Sequence, residues 1–204
     1  QGARGGARQG AHQVVRLLVG LGNPTARYEQ TRHNVGFRVL DALCRLGSAG
    51  PWRARFRGQL CDLELDGGAL WLLKPATFMN ASGASVGMAA AALGVPMPEL
   101  LVVHDDLDLP FGRLRLKRSG GDGGHNGVRS VIEALGGGGF PRLRFGVGRP
   151  PAEFPGDTAD FVLEAFAPSE RVELDPLLDR AADAVVRVVR DGLDTAMTVV
   201  NQRG

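Results

Sequence analysis

Histidine is used sparingly in this chain, and its placement is the first clue to chemistry. Four histidines occur. Two stand in near-identical settings, His33-Asn34-Val35-Gly36 and Gly124-His125-Asn126-Gly127, and a third opens the acidic run His104-Asp105-Asp106-Leu107-Asp108. The fourth, His12, has no such neighbours. Imidazole is the side chain whose unperturbed pKa, about 6.5, lies where a general base works near neutral pH. Beside Asn, Gly and Asp, and off the apolar faces, these histidines point to a reactive site. Together with Asn23, Asn80 and Asn126 they offer an imidazole base, a carboxylate to orient it and several carboxamides. No serine is expected on a nucleophile elbow, and Cys44 and Cys61 fall inside helix-like and strand-like patterns. Water is therefore the expected nucleophile, and ester hydrolysis the expected chemistry: His takes the proton, Asp holds the tautomer, and Asn groups position carbonyl and leaving group.

Other chemistries fit poorly. No Cys-x-x-Cys pair and no His pair on one helix face suggests a metal, so none is expected. Both thiols are expected to be buried and reduced, in a cytosol-like compartment. Gly20-Leu21-Gly22 lacks the third glycine of a dinucleotide fingerprint, and Pro24 intervenes, so no cofactor is expected.

The net charge of +2 conceals segregation. Residues 1–60 carry ten Lys and Arg against two acids, whereas residues 151–204 carry five against eleven. Residues 113–149 form a second basic block holding Arg113, Arg115, Lys117, Arg142 and Arg144 among others. Such segregation can make a positive face that attracts a polyanion, although solvated arginines on strand edges would give the same count.

The elements that must position these groups read as alternating strands and helices. Residues 1–14, rich in Gly, Ala, Arg and Gln, are expected to be a disordered leader, a remnant of expression or part of an organellar targeting peptide; residues 15–204 are expected to form one domain. Val14 to Gly20 reads as a buried strand delivering a Gly-rich loop, the place where open α/β sheets bind ligands. A helix follows from Val35 to Leu46, then strands Phe56 to Leu65 and Ala69 to Leu73 joined around Asp66-Gly67-Gly68. An Ala-rich helix is expected from Gly83 to Leu93, a strand at Leu100 to Val103 and an alternating strand at Arg113 to Lys117. A helix from Asn126 to Leu135 and a strand from Arg142 to Gly148 come next. Asp160 to Phe166 is helical or extended, and a final amphipathic helix starts near Asp175-Pro176 and runs to Gly192. This order implies an α/β sandwich with a twisted mixed sheet, largely parallel at its centre and flanked by helices. No apolar stretch approaches the ~20 residues of a membrane span, so a soluble, cytoplasmic chain is expected.

Five motifs in sequence carry a resemblance: Gly20-Leu21-Gly22-Asn23-Pro24; Tyr28-x-x-Thr31-Arg32-His33-Asn34-x-Gly36; Lys74-Pro75-x-Thr77-Phe78-Met79-Asn80-x-Ser82-Gly83; His104-Asp105-Asp106-Leu107-Asp108-Leu109-Pro110; and Gly123-Gly124-His125-Asn126-Gly127. In this order the chain resembles the bacterial-type peptidyl-tRNA hydrolase family over roughly residues 15–195. The resemblance implies a monomeric enzyme that needs no cofactor and cleaves the ester joining a peptide to the terminal ribose of tRNA. It assigns His33 as the base activating water and Asp105 as its partner, with Asn23 against the peptide carbonyls. Asn80 and Asn126 would hold the peptide backbone or the tRNA 3′ end, and Tyr28, Phe78 and Met79 would wall the cleft. With the tRNA acceptor stem as partner, Arg113, Arg115, Lys117, Arg142 and Arg144 become the expected phosphate-binding face. His104 reads as structural, Asp106 and Asp108 as loop-capping carboxylates, and His125 either as an RNA contact or as a brace for its loop. Two departures stand out. The family usually has Gly where Thr25 stands, which predicts a stiffer or differently shaped loop, and Asp122 brings negative charge to a surface expected to meet phosphate. A non-catalytic RNA-binding scaffold of the same fold is the alternative, and a small-molecule esterase that ignores RNA a second.

Overall fold

The computed structural model describes residues 14–66 and 68–202. The leader up to residue 13, with His12, and Gly67 of the hairpin lie outside the described residues.

The chain opens with β1 (Leu17–Gly20), whose side chains are all buried. Leu17, Leu18 and Val19 are fully excluded from solvent, each contributing about 1.5–3 kcal/mol. Helix α1 (Val35–Leu46) follows, then the short strands β2 (Ser48–Ala49) and β3 (Arg53–Arg55), β4 (Gly58–Leu65), β5 (Gly68–Pro75) and α2 (Ser82–Leu93). Next come β6 (Leu100–Asp106), β7 (Leu114–Lys117), α3 (Asn126–Leu135), β8 (Arg142–Gly146), α4 (Thr158–Val162), α5 (Pro168–Asp191) and α6 (Leu193–Gln202). The sheet order is β2-β4-β5-β1-β6-β8-β7, with β3 beside β4. The pairs β5–β1, β1–β6 and β6–β8 are parallel, and the flanking pairs are antiparallel, giving the expected mixed sheet.

Two hydrophobic layers cover the sheet. Leu18, Leu72, Leu101 and Leu143 face α1, α5 and α6, while Leu17, Leu73, Val102 and Phe140 face α2 and α3. Alternating residues of the parallel strands thus enter opposite cores, which is why these strands read as continuous apolar runs.

Several boundaries differ from the sequence expectation. Phe56 and Arg57 do not open a strand: both have positive φ, 53° and 52°, and form the two-residue turn between β3 and β4. The strands β2 and β3 are too short to show a period. The strand expected from Arg142 to Gly148 ends at Gly146, and of the 160–166 segment only the part up to Val162 is helical, in a helix that begins earlier, at Thr158, behind a capping box of Asp157 and Asp160; Ala165 pairs instead in a bridge with Thr31. The last long helix starts at Pro168, not near Pro176, because Pro168 occupies the first turn and Glu170 accepts from the Ala167 N–H. Pro176 then lies inside the helix; the carbonyl it leaves unpaired belongs to Val172, whose side chain is 80% exposed, on the water-facing side. Beyond Gly192 the chain turns into α6, which the sequence reading did not foresee. There the Asn201 carboxamide accepts from Leu116 N–H and donates to the Leu116 carbonyl, closing the open edge of β7.

Candidate active site

The site lies beyond the carboxyl ends of β1 and β6, where an open α/β sheet offers its crevice. Gly36 allows the first contact. A Cβ there would lie 2.5 Å from Leu21 backbone atoms and 2.6 Å from the Val103 carbonyl, so only glycine lets α1 begin against these two strands. The 3-10 turn Arg32–Asn34 is thereby pressed over the end of β6, and His33 meets Asp105. Arg32 fixes that turn from behind: its guanidinium is buried, lies 2.7 Å from Glu170, donates to the Ala165 carbonyl and stacks on Phe161.

His33 Nδ1 lies 2.9 Å from each Asp105 carboxylate oxygen. Asp105 is 2% exposed. Burial alone would raise its pKa, but the His33 and His125 charges and their hydrogen bonds outweigh that and hold it far below the usual carboxylate range. Because an ionised carboxylate only accepts, Nδ1 of His33 carries the proton and Nε2 is left with its lone pair on the cleft side. Burial, the largest single influence, pulls the His33 pKa down; the Asp105 charge and hydrogen bond together overcome it and leave the pKa above 6.5.

The contact of His125 with Asp105 is what sequence reasoning missed. Its Nδ1 accepts from the N–H groups of Gly127, at 3.1 Å, and Val128, at 3.3 Å, so it caps α3. The proton therefore sits on Nε2, which donates to Asp105 Oδ1 at 2.8 Å. Asp105 thus receives N–H groups from two imidazoles whose ring centroids are 4.8 Å apart. Neither neighbouring sequence nor spacing signals this bridge; the one available hint was the His-Asn pair common to both contexts. His104 is structural in its packing: Nδ1 donates to the Asp105 carbonyl at 2.7 Å, and the ring lies edge-on to His125. Burial and the proximity of His125 push its pKa down to about 3, so it is neutral.

The carboxamides converge on the same cleft, a cavity of about 510 Å³ lined by Asn23, Asn80 and Asn126 together with Tyr28, Phe78 and Met79. Asn23 is buried and locked. Its backbone N–H donates to Asn34 Oδ1 at 2.8 Å, its carbonyl accepts from Asn34 Nδ2 at 2.9 Å, and its own Oδ1 accepts from Met79 N–H at 2.8 Å. With Oδ1 occupied, the Asn23 amide hydrogens are its group for a substrate. Asn34, given no role from sequence, is the brace. Asn80 and Asn126 are exposed at the rim. Phe78 is 58% exposed and meets Tyr28 edge-on, whereas Met79 is buried.

Other candidates are removed by their surroundings. Gly83-Ala84-Ser85-Val86-Gly87 has the spacing of a nucleophile elbow, but Ser85 lies within α2 and is fully buried, not at a strand-to-helix turn. Among the described residues, His33, Asp105 and His125 are close enough to hold a metal, their donor atoms lying within 4.8 Å of one another. The His125 tautomer opposes it: a metal on Nε2 would move the proton to Nδ1, which caps the helix. Cys61 is buried, but Cys44 is only half-buried, with its thiol pushed up to about 11 by burial and by Cys61.

The expected phosphate face needs correction. Arg142 is 2% exposed and donates to the carbonyls of Gly120, Gly121 and Gly138, so it braces that loop from inside. Arg144 is half-buried on Asp106 at 2.6 Å, and Arg113 donates to the Asn201 carbonyl. Only Arg115 and Lys117 of the five are exposed. Asp122 accepts from Gly124 N–H and faces Arg129, and Asp106 caps Asp108 N–H.

Fold and cleft together are those of a hydrolytic enzyme built on a mixed sheet flanked by helices. The chain belongs to the peptidyl-tRNA hydrolase family, whose model matches residues 17–204. It is similar to the peptidyl-tRNA hydrolase of Geobacter metallireducens, 47% identical over 190 residues that cover 93% of this chain and 96% of the relative. The enzyme of Sorangium cellulosum is 50% identical over 187 residues, 92% of this chain and 84% of the relative. The crystal structure of peptidyl-tRNA hydrolase from Acinetobacter baumannii superposes with a TM-score of 0.85 at 34% identity, covering 93% of this chain and 96% of that one. Among the described residues, no helix is long and apolar enough to cross a membrane.

Proposed function

We propose that this protein hydrolyses the ester between a peptide, or an N-blocked amino acid, and the 3′-terminal ribose of tRNA, with His33 as general base. The observation that carries this reading is the Asp105 carboxylate 2.9 Å from His33 Nδ1, which leaves Nε2 as the cleft-side acceptor. A water held at Nε2 gives its proton to the imidazole as its oxygen attacks the ester carbonyl carbon. The tetrahedral oxyanion takes hydrogen bonds from the amide hydrogens of Asn23, with Asn80 and Asn126 aligning the peptide and the 3′ end. Collapse breaks the bond to the ribose 3′ oxygen, and the imidazolium returns the proton to that leaving group. Asp105 stays ionised throughout and stabilises the imidazolium. Tyr28, Phe78 and Met79 wall the cleft, while Arg115 and Lys117 supply charge for the acceptor stem. The enzyme acts as a cytoplasmic monomer away from membranes and frees tRNA for reuse.

The test is release of N-acetylaminoacyl groups from tRNA by the purified chain beside His33→Ala and Asp105→Asn. Both variants should fold and lose at least about a hundredfold in turnover; His33→Ala should keep a near-unchanged thermal midpoint, whereas Asp105→Asn, which gives up the charge held between two imidazoles, should unfold at a lower one. Full activity in His33→Ala, or an inactive wild type, would sink the mechanism. An inactive wild type that still binds tRNA would favour the non-catalytic scaffold.

A further inference from the structure

Ten of the first sixty residues are Lys or Arg, a concentration that the catalytic reading leaves unused. The structure divides those that it describes into two sets. Arg16, Arg32, Arg38, Arg45 and Arg53 face Glu99, Glu170, Asp175, Asp179 and Asp62 respectively. Arg27, Arg55 and Arg57 are exposed and have no acidic partner among the described residues.

None of the three lines the cavity itself; each stands beside the aromatic wall that Tyr28 and Phe78 give it. Arg27 packs over the Tyr28 ring, its guanidinium carbon 5.5 Å from the centroid, and Tyr28 meets exposed Phe78 at 6.4 Å. Two residues before Phe78, Ala76 N–H donates to the Arg57 carbonyl at 2.9 Å. Arg57 and Phe56 are the turn of the β3–β4 hairpin, and Arg55 lies over Phe56 at 4.9 Å. Gly58 is paired with Pro75, which places this turn at the carboxyl end of β5, the same end of the sheet as His33 and Asp105. The hairpin holds Phe56 and Arg57 at positive φ, a conformation that side-chain-bearing residues adopt at a cost, and thereby fixes where these side chains leave the surface.

Exposed cations alternating with aromatic rings along a rim are the pattern that binds a single nucleic-acid strand: rings stack on bases and cations meet phosphates. A basic edge strand has another use, keeping sheets of different molecules apart. That use accounts for Arg55 alone. It does not explain Arg27, which lies outside any strand, or Arg57, at the tip of the turn.

We propose that Arg27, Arg55 and Arg57, with Tyr28 and Phe78, form a track for the unpaired 3′ strand of the substrate RNA on the β5 side of the cleft, apart from the β7 surface on the other side of the sheet. The proposal rests on the acyl-tRNA reading of the site. In the intact protein, Arg27→Gln, Arg55→Gln and Arg57→Asn, singly and together, are compared for hydrolysis of N-acetylaminoacyl-tRNA across a salt series. Asn is chosen at 57 because it tolerates positive φ. The triple variant should raise KM by about tenfold or more at low salt with kcat unchanged. The slope of log(kcat/KM) against log salt should flatten by about 2, at roughly 0.7 per single-strand phosphate contact. On N-acetylaminoacyl-adenosine, which has no phosphates, the triple variant should match the wild type. Arg53→Gln, on the same strand but paired with Asp62, should leave both KM and slope unchanged. Unchanged KM and slope in the triple variant, or unchanged values accompanied by self-association, would overturn the track while leaving the hydrolase reading intact. If the triple variant does not fold, the single variant Arg27→Gln decides: an unchanged salt slope there overturns the proposal. Wild-type inactivity on acyl-tRNA would overturn both readings.

Discussion

Asp105 accepts from two imidazoles, so its charge is divided, and the division sets the basicity of His33. Because Asp105 raises the His33 pKa above 6.5, kcat/KM should climb with pH through a midpoint above that value as Nε2 loses its proton. In Asp105→Asn, burial remains and the charge is gone, so the midpoint of the residual activity should fall below 6.5; an unmoved midpoint would show that another group titrates. His125→Asn separates the two jobs of that histidine. Asn keeps an oxygen to cap α3, costing the helix little, but withdraws one donor from Asp105. The carboxylate charge then concentrates on His33, and the acid limb should move upward with the urea midpoint near that of the wild type. A limb that stays in place would deny His125 any influence on the base. His33 and Asp105 were legible in the sequence through the family resemblance, whose motifs contain both residues and imply their roles. The His125 bridge was not legible, since it exists only through contact between segments twenty residues and more apart.

At the scale of elements, the turn Ala26–Tyr28 carries a marked departure from expectation. Thr25 has φ 79° and ψ 148°, a region almost reserved for glycine. The expected change of loop character is therefore a strained backbone, with the Thr25 carbonyl still accepting from Tyr28 N–H at 3.1 Å. Relief of about 1–3 kcal/mol set against the extra unfolded-state entropy of glycine leaves Thr25→Gly more stable by about 1 kcal/mol. Urea unfolding measures it; a destabilised variant would mean that the threonine side chain compensates the strain. Elements with clear period or punctuation, such as α1, α3, β4, β5 and β7, were readable in the sequence. The short β2 and β3, the start of α5 ahead of Pro176, and α6 were not, because pairing and burial decide them where local pattern is thin or misleading.

For the molecule as a whole, acid stability follows from a histidine that takes no direct part in the proposed chemistry. His104 is neutral, with its pKa lowered to about 3, so the stability it confers is fully present above 6.5 and is lost as pH falls between 6.5 and about 3. Over that window the loss approaches about 1.4 kcal/mol per pH unit. Asp105, whose pKa is depressed, contributes above about 4 and loses that contribution only in stronger acid. His33 has the opposite sign: its raised pKa gives stability that is present below 6.5 and lost as pH rises through the folded value. His104→Asn, which keeps a donor for the Asp105 carbonyl, should flatten the decline of the thermal midpoint between pH 6 and 4; an equal decline would assign it elsewhere. The broad architecture was readable because alternating runs and glycine-rich loops repeat along the chain, whereas Arg142 was misjudged because alternation gives the face of a side chain and not what covers that face. The position of β1 has one more consequence. Its parallel neighbours are β5 and β6, so residues 17–20 gain their partners only when residues 68–75 and 100–106 exist. During synthesis from the N-terminus, the future centre of the sheet must wait as an apolar segment until about half the chain has emerged. Newly made chains are therefore most exposed to mispairing and to chaperone capture in that interval, before the strand that carries Asp105 has been added.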